Sequence, residues 1–194
     1  MKYPKFYDEI EKIKITDELS DILGAFENGF IEFSYLDVVK SAGHSCPTIA
    51  GAFLMLKEGL KRFDLPKRGE INVYLKDQIS EGTTGVVSNV IAQVTGATSK
   101  SGFHGLSGKY DRRGLMHFNA DISSSMRLVD RSGKIVDIDY DPNGLAPSPK
   151  MSPLMQKVLS GKATIDEKIQ FKELWQERVE RILKFPELVI TVKT

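Results

Sequence analysis

A thiol and an imidazole stand two positions apart in Gly43-His44-Ser45-Cys46-Pro47, a stretch that holds the only cysteine of the chain and one of its three histidines. In an extended or turning segment two such side chains can converge on one soft or borderline metal ion, which takes nitrogen and sulfur donors readily. Pro47 suits the first turn of a helix, where its missing N–H costs nothing, and the unpaired N–H groups of that turn favour negative charge beside Cys46. Two donors leave coordination positions open. His104, His117, a carboxylate, a partner subunit or water would have to supply the rest, and an incomplete protein set belongs with chemical rather than structural metal sites. Two other readings of the pair stand beside this one: a space-filling thiol next to a helix-capping histidine, and a thiol enzyme with Cys46 as nucleophile and His44 or His104 as base.

A second cluster runs Phe103-His104-Gly105-Leu106-Ser107-Gly108-Lys109-Tyr110-Asp111-Arg112-Arg113. Its glycines would let backbone N–H groups approach a ligand, and Lys109, Arg112 and Arg113 could neutralise a carboxylate or phosphate. No Walker or dinucleotide fingerprint accompanies it, so a solvated loop is an equal reading. His117 lies in the strand pattern Leu115-Met116-His117-Phe118, where a lone histidine is ordinarily structural.

The elements that must position these groups follow from periodicity. Thr16 to Gly24 reads as a short helix capped by Thr16, and Ser34-Tyr35-Leu36-Asp37 as a capping box opening a helix that Gly43 ends. A strong helix is expected from Pro47 to about Phe63, apolar nearly all round over Ile49–Leu56 and therefore buried. Glu70–Lys76 alternates as a strand, and Thr84–Val94 is a helix ended by Gly96. Three further strands are expected at Leu115–Ile122, Ser124–Val129 and Lys134–Tyr140. After the proline-rich segment Asp141–Pro149 come a short helix to Leu159, a longer one from a capping box at Thr164 to about Phe185, and a final strand at Leu188–Val192. The fold class is α+β, a mainly antiparallel sheet packed against helices with a helical C-terminal extension. The expected divisions are a helical lead-in over 1–33, an α+β core over 34–140 and the extension over 141–194.

With 27 basic and 26 acidic residues the formal net charge is +1, which gives no electrostatic case for nucleic acid. A single cysteine excludes disulfide frameworks and multi-cysteine zinc or iron–sulfur motifs. The first residues lack an apolar signal core and no run approaches the roughly 18 apolar residues of a membrane span, so a cytoplasmic protein without a membrane partner is expected.

With these residues in view the chain resembles the FmdE family, whose name comes from a component of formylmethanofuran dehydrogenase. Gly43-His44-Ser45-Cys46-Pro47 with its trailing helix is similar to that family's His-x-Cys-Pro-Gly opening, and Thr95-Gly96-Ala97-Thr98-Ser99-Lys100 to its Thr-Gly-Cys-Thr-x-Gly-Lys segment. The resemblance covers about Ser34 to Tyr140 and implies an α+β core, an intertwined homodimer and, in some members, a metal at the His-Cys pair. Three positions depart from the pattern: Ala97 replaces the second cysteine, Asn89 an acidic residue and Thr48 a glycine, and the zinc-finger domain of some relatives is absent. The resemblance assigns His44 and Cys46 to the metal, with Lys100 as a nearby cation; His104 and His117 are candidates from chemistry alone.

Together these features give the expectation of a dimeric metal- or metallocofactor-binding protein with an open site at His44 and Cys46. Zinc is the expected ion and haem the alternative, in which one of the pair would be axial. Lys100, Lys109 and Arg112 would form a rim for the cofactor or a small anionic ligand. The rival functions are an interaction subunit docking a larger redox enzyme through the Trp175 helix, and the Cys46 thiol enzyme. No residue names a substrate or a catalytic group.

Overall fold

The computed structural model describes residues 1–194. Six α-helices and seven strands form an α+β fold: β1 (Ile13–Thr16), α1 (Glu18–Ile22), β2 (Phe30–Phe33), α2 (Tyr35–Ala42), α3 (Pro47–Leu60), β3 (Asn72–Leu75), α4 (Thr84–Thr95), β4 (Met116–His117), β5 (Met126–Val129), β6 (Ile135–Tyr140), α5 (Met151–Leu159), α6 (Ile165–Lys184) and β7 (Ile190–Lys193). The main sheet has the order β4-β3-β5-β6-β7. All its pairings are antiparallel except β3–β4. No helix is long and apolar enough to cross a membrane.

The centre of the molecule is α3, whose residues Ile49–Leu56 are all buried, as an all-round apolar helix must be. It crosses the sheet closely: a Cβ on Gly59 would lie 3.0 Å from both Ile138 and Leu128. Val73, Leu75, Met126, Leu128, Val136 and Ile138 face this core, while Tyr74, Arg127 and Asp137 alternate onto the other side of the sheet. Both capping boxes form as the sequence predicts, Ser34 with Asp37 and Thr164 with Glu167. Gly43 and Gly96 end their helices in the left-handed conformation, with φ of 75° and 72°.

The N-terminal segment differs from the expected helical lead-in. Thr16 ends a strand, and Asp17 caps α1 instead, accepting from the N–H groups of Leu19 and Ser20. β1 and β2 pair as a separate two-stranded sheet. Asp17 wins because its carboxylate also meets Arg112 at 2.7 Å and Arg68 at 3.2 Å, a tie that local pattern does not reveal. The C-terminal segment is equally integral. β7 pairs with β6, and Val179, Ile182 and Leu183 of α6 belong to the same buried cluster as α3.

Candidate functional site

The Gly43–Pro47 turn is built to hold its side chains in place. Gly43 reverses the chain out of α2, Cys46 is the extended residue before α3, and Pro47 occupies the first helical turn. Three aromatic side chains, from α2, β6 and α6, then fasten it. The Tyr35 hydroxyl shares a hydrogen bond of 2.9 Å with Ser45 Oγ. The Trp175 indole N–H donates to the Ser45 carbonyl at 2.8 Å, and the Tyr140 hydroxyl donates to the Pro47 carbonyl at 2.8 Å. Burial pushes the Tyr140 phenol up to about 12 and Tyr35 higher still, against the lowering effect of its Ser45 hydrogen bond, so both stay protonated at neutral pH.

Gly51, one helical turn after Pro47, makes room for this arrangement. A Cβ there would lie 2.3 Å from Tyr140 Cε1, so any larger residue would displace the ring that reaches Pro47. His44 is exposed, and its Nδ1 lies 3.1 Å from the Ala42 carbonyl. A carbonyl can only accept, so Nδ1 carries the proton and, in the neutral ring, Nε2 is left with the lone pair. Cys46 is half-buried and free.

His44 opens onto a cavity of about 430 Å³ between α2, α3 and α4. Val38, Ile49 and Val90 give it apolar walls, and Asn89 and Gln93 supply polar groups. Gln93 donates its amide N–H to the Asp37 carbonyl at 3.2 Å, but its Oε1 is enclosed without a partner. Such an unpaired amide oxygen costs on the order of 1–3 kcal/mol.

The other candidate residues are dispersed. His117 stacks on Tyr74, with ring centroids 4.5 Å apart and planes 15° from parallel, in a different cavity of about 500 Å³ on the far side of the sheet. His104 lies on the exposed loop near Asp111, whose carboxyl is held down to about 2 mainly by the Arg113 side chain and backbone. No three His, Cys, Asp or Glu side chains gather where they could hold a metal ion. Lys100 and Lys109 are exposed. Arg112, expected on a ligand rim, instead points inward at 5% exposure, bound to Asp17 and donating to the Arg68 carbonyl. Its approach requires Gly69, where a Cβ would overlap the guanidinium.

Sequence reasoning singled out the turn but not what fixes it. Tyr35 read as part of a capping box, Tyr140 as a strand end and Trp175 as part of a helix that could dock a partner. A glycine at position 51 inside an otherwise apolar helix was the one local signal of a close approach.

The architecture is thus an α+β domain with a mixed sheet, a buried central helix and a histidine–cysteine turn at that helix's N-terminus. Residues 42–191 match the family described as FmdE, molybdenum formylmethanofuran dehydrogenase operon, and the chain belongs to this family. The match starts within the expected core but runs on through α5, α6 and β7, beyond the expected limit at Tyr140. No curated protein matches the chain.

Proposed function

We propose that this protein binds a metal ion through His44 Nε2 and the Cys46 thiolate, in an open site completed by an exogenous ligand or a second copy of the chain. The observation that carries the reading is the Nδ1 contact to Ala42, which reserves Nε2 for a ligand on a turn held from three sides. An imidazole and a thiolate fit zinc, and with only two donors from one chain several positions stay open to a ligand. The metal would act as a Lewis acid or hold a substrate thiol or carbonyl. The protein's own part would be to hold the turn that carries both residues, with Lys100 and Lys109 as solvent-facing cations for an anionic ligand. A homodimer would cover the exposed apolar side chains Leu23, Phe26 and Phe30.

Metal analysis and an absorption spectrum of the purified protein test this. Zinc near one equivalent per chain, lost in both Cys46→Ala and His44→Ala while the fold persists, is the expected result. A Soret band would replace zinc with haem, and metal-free protein from metal-replete cells would refute the reading.

A further inference from the structure

His44 stands between two hollows. Away from the α2–α4 cavity lies a second, open hollow of about 460 Å³, bordered by Pro4 and walled on α6 by Phe171, Lys172 and Trp175. Phe171 and Trp175 are one helical turn apart, and their rings meet at 5.6 Å and 43°. The hydrogen bond to Ser45 fixes the Trp175 indole, so it cannot turn to fill the space. Lys172 is exposed at the rim, and its ammonium makes no ion pair. Gln176, which follows on the same face, is already engaged by the Tyr7 hydroxyl at 2.9 Å.

We propose that this hollow binds a small aromatic carboxylate, its ring against Phe171 and Trp175 and its carboxylate on Lys172. Tilted aromatic walls accept another ring edge-to-face, and the volume falls within the range of small-molecule sites. One ammonium at an apolar mouth matches a single carboxylate better than a doubly charged phosphate, which would lose more hydration than one cation returns. Only the ligand's inner end depends on the metal reading, since that end reaches His44; the hollow itself does not.

Trp175 is the sole tryptophan, so its emission reports this wall of the hollow together with the Ser45 turn it is bonded to. Titration of the full-length protein with 3-phenylpropionate should give a saturable change in emission. Lys172→Gln, a surface change that leaves the fold intact, should weaken binding about fivefold, near the upper end for a solvent-exposed ion pair. Phe171→Ala should weaken it as well, and 3-phenylpropylamine, of opposite charge, should bind at least about tenfold less tightly. No saturable response, equal binding of the amine, or unchanged affinity in Lys172→Gln would each overturn the inference. Repeating the titration after chelator treatment separates the two readings: a response that survives metal removal supports the hollow whatever the metal does. Stoichiometric metal with a silent Trp175 overturns the hollow and leaves the metal site standing.

Discussion

The Gly43–Pro47 turn and the Phe103–Arg113 loop carry similar ingredients, a histidine, glycines and reactive or charged neighbours, but they are held in opposite ways. The turn is fastened by hydrogen bonds from Tyr35, Tyr140 and Trp175, the last from 130 positions away in sequence. The loop bonds mostly to itself: Leu106 and Lys109 exchange backbone bonds of 2.8 and 2.9 Å, and the Arg112 N–H meets the Phe103 carbonyl. Its strongest tie to the core is the Arg112 side chain, the very cation expected to face a ligand. A charge that anchors a loop is spent, whereas a turn anchored by its neighbours leaves its own donors free.

The largest effect should come from breaking the loop's anchor. Asp17→Ala strips the partner from a buried guanidinium and should cost about 3–5 kcal/mol in denaturant unfolding. An unchanged midpoint would mean that the loop is held by its backbone alone. The turn's anchor can be attacked without touching the turn: Gly51→Ala drives Tyr140 away from Pro47 and should cost about 1–3 kcal/mol by crowding. It should also lower metal affinity in a competition assay, and a variant with wild-type affinity would show that Tyr140 does not position the pair.

Tyr140→Phe removes a single hydrogen bond, about 1 kcal/mol. It also changes the pH dependence. The folded state holds the Tyr140 proton more tightly than the unfolded chain, so this contribution is complete below pH 10 and is lost as pH rises toward and through about 12. Denaturant midpoints measured across that window should fall less steeply in the variant than in the parent. At the small end, Lys109→Gln should shift stability by no more than about 0.5 kcal/mol, because the side chain is exposed. A larger shift would mean that the loop's cations are also used in packing.

Much of this was legible in the chain. Capping boxes at Ser34 and Thr164, glycine stops at Gly43 and Gly96 and the apolar run after Pro47 each rest on interactions within a few residues, and the structure reproduces them. The N-cap of α1 was misplaced by one residue because its choice depends on Arg68 and Arg112, far along the sequence. The inward turn of Arg112 was invisible for the same reason.

By itself the sequence determined the α+β class, the buried central helix and the place of the histidine–cysteine pair at that helix's start. Local propensity and hydrophobic periodicity act over one or two turns and need no partner. Only the tertiary structure decided that Tyr35, Tyr140 and Trp175 converge on the turn, that Gly51 makes room for one of them, and that the three histidines part company. Those outcomes depend on which buried polar groups find each other when α3, α6 and the sheet close on a common core, and spacing along the chain does not carry that information.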